Sequence, residues 1–372
     1  MLTKPEELIL TAGPANSRNE VKYVVDATMR GWNFHHSDYI VKFEKAFASY
    51  LGCKYALTMP TGTSALHLAL VLFGVKAGDE VIIPDLTYVA CANVIHYIGA
   101  KAVLAEVDRQ TWSLDAEKLE KYITPKTRAI MPVHLYGNMA DMNGIKRIAK
   151  KHHLRVLEDA CEGLGCIYYG KPAGTLSDAA AFSFQGAKLL AIGEGGMFVT
   201  NKKDWYERAR SLVDHGVSFK HQFWHNEIGF MYPMSNIQAA LGLARLEEIN
   251  WSIERKRRIF KWYYDRLHDI PGITLNPSRP GLHSSYWMSS LVLDKKFPLS
   301  RNQLRWKLRE QKIDTRPFFY PISMFNLYGK RHKQHPVAYH LGLNGINLPS
   351  GVMLTEEKID YVVRCLRQNL RV

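Results

Sequence analysis

In FSFQGAKLLAIGEGGMFVTN, residues 182–201, one lysine, Lys188, stands well away from the nearest charge before the GEGG cluster. An amine there is either a solvated loop cation or a nucleophile. Its ordinary pKa, about 10.4, keeps it protonated at neutral pH; desolvation or a nearby cation would free the lone pair. Upstream, VLEDACEGLG sets Asp159 at the end of an apolar run, with Glu162 three residues on. That spacing suits a capping box or a carboxylate pair facing a ligand. PTGTSALHLAL places Gly62, Thr63 and Ser64 at the start of an apolar helical pattern. Such a start is either a plain N-cap or a phosphate cradle of free N–H groups and small hydroxyls. Ser183 adds a further hydroxyl if the two strand ends are neighbours. Tyr88, in PDLTYVACAN, is either core or a platform for a flat ring.

A phosphate cradle, an aromatic face, a carboxylate and a lysine together suit pyridoxal phosphate. The lysine forms a Schiff base with its aldehyde, and the carboxylate keeps the pyridinium protonated and able to accept electrons. No Walker A loop stands at Gly62, and no GxGxxG fingerprint stands in this N-terminal region. Of the five cysteines only Cys161 and Cys166 are close, at a spacing that matches no zinc or redox pattern. They read as buried reduced thiols, and no metal is expected.

The elements that must position these residues alternate. Short apolar runs at 54–60, 79–84, 101–107, 128–134, 155–159, 180–184 and 195–200 predict strands. Helical patterns fall between them at 64–74, 89–98, 115–122 and 142–152. That alternation implies an α/β fold with a mostly parallel seven-stranded sheet, whose carboxyl ends collect ligands. A long amphipathic region, 236–268, leads into a smaller α/β unit with a strand at 286–294 and helices at 301–311 and 355–368. The expected division is a large cofactor-binding domain over 1–250 and a small C-terminal domain over 251–372.

The chain of 372 residues carries 49 Lys and Arg against 35 Asp and Glu, a net charge of +14. The basic residues are dispersed, and no zinc-finger or RNA-recognition signature accompanies them, so nucleic acid is not the expected partner. The charge fits a polyanionic small substrate. The apolar run 65–75 is too short to span a bilayer, and MLTKPEELIL lacks a secretion signal, so a cytoplasmic location is expected.

SFQGAK followed by GEGG, with LEDACEGLG, TGTSALHLAL, PVHLYGNMADM, MSNIQAALGLARLE and DTRPFFYPIS in this order, resembles the DegT/DnrJ/EryC1/StrS sugar aminotransferases nearly end to end. The resemblance implies fold type I, the aspartate aminotransferase architecture, in a homodimer with active sites at the subunit interface. It implies that Lys188 is the Schiff-base lysine, Asp159 the partner of the pyridine nitrogen, and Tyr88 the aromatic on the ring. Gly62, Thr63 and Ser183, with Ser64 beside them, fall where the family holds the phosphate, and Glu162 beside the ring oxygen. The implied reaction takes an amino group from L-glutamate, through pyridoxamine phosphate, to C4 of a nucleotide-linked 4-keto-6-deoxyhexose, as in perosamine synthase-like members; Lys188 shuttles the proton. Uridine- or thymidine-linked sugars and 3-keto sugars are the alternatives. His215, Arg316 and Tyr320 are substrate candidates, although Arg316 also suits a surface ion pair.

Two departures stand out. Met231 and Pro233 occupy positions where many relatives have asparagine and arginine, and Met231 cannot donate the hydrogen bond that the asparagine makes to the partner's cofactor phosphate. Ser37 stands where glycine is common, and Asn33–His35 replace small polar residues, in a loop expected at the sugar pocket. The family's dehydratase branch carries histidine in place of the lysine, and a regulatory protein on this fold would lose Lys188 or Asp159. Both are present.

Overall fold

The computed structural model describes residues 5–13, 15–293, 297–328 and 334–372. Its main sheet has seven strands in the order Tyr55–Met59, Gly196–Thr200, Ala179–Ser183, Arg155–Asp159, Thr127–Ile130, Glu80–Pro84, Lys101–Ala105. Gly196–Thr200 runs antiparallel to both neighbours, and the other six strands share one direction. Its reversal follows from connectivity. Ser183 pairs with Gly196, so the chain between them, which carries Lys188, must turn back without a crossover helix. Strands such as Glu80–Pro84 and Gly196–Thr200 are buried along their length, as a sheet covered on both faces requires.

Helix Gly62–Leu72 is buried almost all round, its apolar residues meeting the sheet beneath and helices above. Expected helices at 89–98 and 142–152 form over Ala90–Tyr97 and Met142–Lys151. The expected helix at 115–122 does not. Only a 3-10 turn, Leu119–Tyr122, is present, because the Asp115 carboxylate caps the Glu117 N–H in a tight turn. The amphipathic region splits into Asn236–Glu247 and Ile249–Leu267, with Glu248 at the junction.

A second, four-stranded sheet, in the order Ile273–Leu275, Ser290–Leu293, Gly345–Asn347, Arg316–Pro317, packs on helices Ile249–Leu267, Arg301–Glu310 and Glu356–Leu370 around its own apolar cluster. Asp294, the last residue of the expected strand, lies outside the described residues, as do 1–4 of the expected leaderless start. Ile9 bridges to Ile313 and packs into this second cluster, so the N-terminal segment joins the C-terminal part. Among the described residues no helix is long and apolar enough to cross a membrane.

Candidate active site

At the carboxyl ends of the parallel strands lies a cavity of about 450 Å³, lined among others by Gly62, Thr63, Tyr88, Asp159, Glu162, Ser183, Lys188 and Arg316. Eight of the eleven residues singled out in the sequence meet there.

Thr61 caps helix Gly62–Leu72: its Oγ1 accepts from Ser64 N at 3.0 Å, and Ser64 Oγ accepts from Thr61 N at 3.1 Å. The Gly62 and Thr63 amides are first-turn N–H groups with no acceptor inside the helix. They open into the cavity, beside Ser183. The strand ends of Met59 and Ser183 are not neighbours, since Gly196–Thr200 lies between them. The contact arises instead because the helix start crosses over that strand. A Cβ on Gly196 would lie 2.5 Å from the Thr61 carbonyl carbon, and one on Gly62 would lie 2.8 Å from Cys161 Sγ and 2.9 Å from Ser183 Cβ. Glycine is required at both places. Gly62→Ala is expected to push the helix start off Ser183, destabilise the fold by about 1–3 kcal/mol and weaken cofactor binding roughly tenfold. Equilibrium unfolding and cofactor titration read both; an unaltered cofactor affinity would contradict the cradle.

Asp159 ends its strand with both carboxylate oxygens held. Oδ1 accepts from Cys161 N and Oδ2 from the Cys91 thiol, each at 3.0 Å. Cys91 is fully buried, and burial pushes its thiol well up, with the Asp159 charge adding to it, so it stays a donor. Behind Asp159, Glu158 and His134 form a pair with both side chains fully buried, Nε2 to Oε2 at 2.9 Å. Ala140 N donates to His134 Nδ1, so the imidazole proton sits on Nε2 and faces Glu158.

Lys188 lies in the turn after Ser183. Its Nζ donates to Glu162 Oε1 at 3.0 Å, and Glu162 Oε2 accepts from Tyr136 N at 2.9 Å. The amine also lies over the Trp287 ring, 4.2 Å from its centroid. Burial pulls the Lys188 pKa down, but the charge and hydrogen bond of Glu162, with Cys161 and Asp159, together outweigh it and hold the amine above the ordinary lysine range. The lowering that desolvation alone would give is therefore not realised in the unbonded amine.

Three sequence candidates fall elsewhere. Ser64 spends its hydroxyl on Thr61 O, at 2.8 Å, and does not line the cavity. His215 sits in a loop with its N–H on Phe230 O and its ring near His225. Tyr320 accepts from Arg301 Nη2 at 3.2 Å, outside the cavity lining. Conversely, Thr87, Cys161, Gln185, Trp287 and Phe319 line the cavity without having been singled out. Phe319 lies 5.3 Å from the Tyr88 ring, which is half exposed rather than core. All five cysteines are free, but Cys53 and Cys161 are only half-buried. Met231 is exposed and bridges to Asp214, and Ser37 precedes helix Asp38–Leu51 without a side-chain cap. Among the described residues no cluster suits a metal ion.

A flat phosphorylated pyridine fits this donor set: anion-binding amides and hydroxyls at one end, a carboxylate at the strand end, an amine in the wall. The arrangement is that of a pyridoxal phosphate-dependent aminotransferase of fold type I. The chain belongs to the DegT/DnrJ/EryC1/StrS aminotransferase family, whose pattern matches residues 14–367. It is 42% identical to the GDP-perosamine synthase of Caulobacter vibrioides over 97% of this chain and 98% of that one. The GDP-perosamine synthase of Escherichia coli O157:H7 is 40% identical over 95% and 96% of the two chains. Among solved structures, DesV of S. venezuelae superposes with a TM-score of 0.87 at 30% identity, covering 94% of this chain and 93% of that one. A putative sugar aminotransferase from Streptococcus pneumoniae, Spr1654, solved in PLP and PMP forms, shares the fold at a TM-score of 0.93 and 24% identity, covering 98% of each chain.

Proposed function

We propose that this aminotransferase moves an amino group from L-glutamate to C4 of a nucleotide-linked 4-keto-6-deoxyhexose, the GDP-linked sugar being favoured, in the cytoplasm and as a homodimer. The observation that carries the reading is the meeting of Lys188, Asp159 and the Gly62–Thr63–Ser183 cradle in one cavity, in a chain 36–42% identical to three GDP-perosamine synthases. Bound pyridoxal phosphate supplies the carbonyl that takes up the amine and the ring that accepts the electron pair.

The chain's own residues do the rest. The Gly62 and Thr63 amides, at the positive end of a helix, hold the phosphate with Ser183. Asp159, aimed by Cys91 and Cys161, holds a proton on the pyridine nitrogen. Tyr88 covers one face of the ring. Lys188 is the covalent anchor; once released, its Nζ carries the proton to and from the substrate carbon. Glu162 receives the released ammonium and faces the ring oxygen. The segment from the first main-sheet strand to about residue 250 forms the cofactor-holding unit in this reading, while the stretch around Ile9 belongs with the C-terminal part. Residues 251–372 add Trp287, Arg316 and Phe319 to the wall, with Arg316 facing the anionic part of the substrate.

A panel of GDP-, dTDP- and UDP-linked 4-keto-6-deoxy sugars, each with glutamate and followed by mass spectrometry, tests the substrate. A gain of one amino group on the GDP sugar, at kcat/KM at least tenfold above the others, is expected. Turnover of only thymidine- or uridine-linked sugars, or amination at C3 by NMR, would replace this reading.

A further inference from the structure

Lys256 is 4% exposed and lies in helix Ile249–Leu267, outside the cavity lining. Its Nζ donates to two main-chain carbonyls, Trp287 O at 2.8 Å and Ser350 O at 2.6 Å. Among the described residues it pairs with no carboxylate, and burial, with Arg316 nearby, pulls its pKa down to about 7. A buried ammonium of this kind is costly for stability alone. What it grips is informative. Trp287 is buried, and its indole Nε1 donates to Ala187 O, the residue before Lys188, at 2.9 Å. The same ring centroid lies 4.2 Å from Lys188 Nζ, which also reaches Glu162 Oε1 at 3.0 Å. Lys256 thus clamps the backbone of Trp287, and Trp287 clamps the lysine turn and offers its face to the amine.

We propose that Trp287 is the positioning residue of Lys188, held in place by Lys256. It forms, with Glu162, the resting place of the amine whenever Lys188 is not bonded to the cofactor. The inference rests on Lys188 being the cofactor lysine and not on the identity of the sugar. Glu162, Cys161 and Asp159 attract the Lys188 ammonium, Glu194 and Arg316 line the same cavity, and the indole face attracts the ammonium without carrying charge. An amine parked between a carboxylate and an indole is retained as an ammonium beside the reacting carbon, ready to return a proton.

The test uses the full-length enzyme in its pyridoxamine phosphate form, in which the Lys188 amine is free. Trace acetylation with acetic anhydride across pH 7–11, read by mass spectrometry of the Lys188 peptide, reports the fraction of free amine. Removing the indole face is expected to accelerate labelling at a fixed pH below the midpoint by roughly two- to thirty-fold, in the order wild type, Trp287→Phe, Trp287→Leu. Lys256→Met is expected to shift the profile in the same direction, with Lys256→Arg restoring it. kcat should fall in parallel while KM for glutamate changes less. The Phe variant, with melting temperature checked, keeps the test usable if the Leu variant does not fold. A lower kcat with an unmoved labelling profile in Trp287→Phe and Lys256→Met would reduce both residues to structural roles and overturn the inference. Borohydride fixation of cofactor on any residue other than Lys188 would instead overturn the reading of the site.

Discussion

Lys188→Ala is expected to lower kcat by at least about 10³-fold, since it removes both the nucleophile and the proton carrier. The variant should also fail to retain cofactor after borohydride, whereas the wild type should carry the cofactor mass on the Lys188 peptide. Loss of the ammonium leaves Glu162 alone in a site where burial already pushes its carboxyl up, so some destabilisation accompanies the substitution. Lys188→Arg separates the two effects. It keeps a cation beside Glu162 but cannot form the bond, so stability should recover while activity does not. An alanine variant that kept more than a tenth of wild-type activity would remove Lys188 from the chemistry.

The largest stability effect is expected one residue before Asp159. Glu158 Oε2 accepts from His134 Nε2 at 2.9 Å and Gly174 N at 2.8 Å; Oε1 accepts from Leu176 N and Ser177 Oγ, both at 2.8 Å. Glu158→Ala strands three donors in a dry interior, His134 Nε2, Gly174 N and Leu176 N, whereas the half-buried Ser177 Oγ keeps Ala179 O at 2.8 Å. At 1–3 kcal/mol for each buried orphan, partly relieved by relaxation, the cost is about 3 kcal/mol. Thermal melting and urea titration measure it. A melting temperature within 1 °C of wild type would show the network to be dispensable, since a loss this large should lower it by about 4 °C in a chain of this length.

The same network has a pH signature. Burial pushes the Glu158 carboxyl up, but the His134 hydrogen bond, with the Gly174 N–H and Ser177 hydroxyl, outweighs it and leaves the pKa below the ordinary value. A carboxylate depressed in the folded state stabilises fully above the unfolded pKa, about 4.3, and stops doing so as pH falls through its lower folded value. Wild type should therefore lose stability more steeply than Glu158→Gln below about pH 4.3. Because His134 N donates to Asp159 O at 3.0 Å, the damage should reach cofactor affinity as well.

Much of this was legible along the chain. Strand–helix alternation marked all seven strands of the main sheet to within a few residues, because each is a short apolar run closed by turn residues. Lys188, Asp159 and the Gly62–Thr63 turn were legible because each sits where a buried strand stops, a position that a local pattern marks. Thr61 was missed although the spacing Thr61-x-x-Ser64 is a capping signature, which would also have shown the Ser64 hydroxyl to be committed. The absent helix at 115–122 was hidden because the Asp115 carboxylate turn competes with helix by a hydrogen bond that composition does not display.

By itself, then, the sequence determined where the strands fall along the chain, their buried character and the residue types that suit pyridoxal phosphate, all properties of contiguous segments. Only the tertiary structure decided which distant residues reach the site. Trp287 stands about a hundred positions from Lys188, in another sheet's environment, and comes to lie 4.2 Å from its amine through long-range packing. The same packing turned His215 and Tyr320 away from the cavity, and set Glu162 beside Lys188, so that the free amine is held as an ammonium. No period or spacing encodes such meetings; they follow from how two separately cored parts of one chain stack.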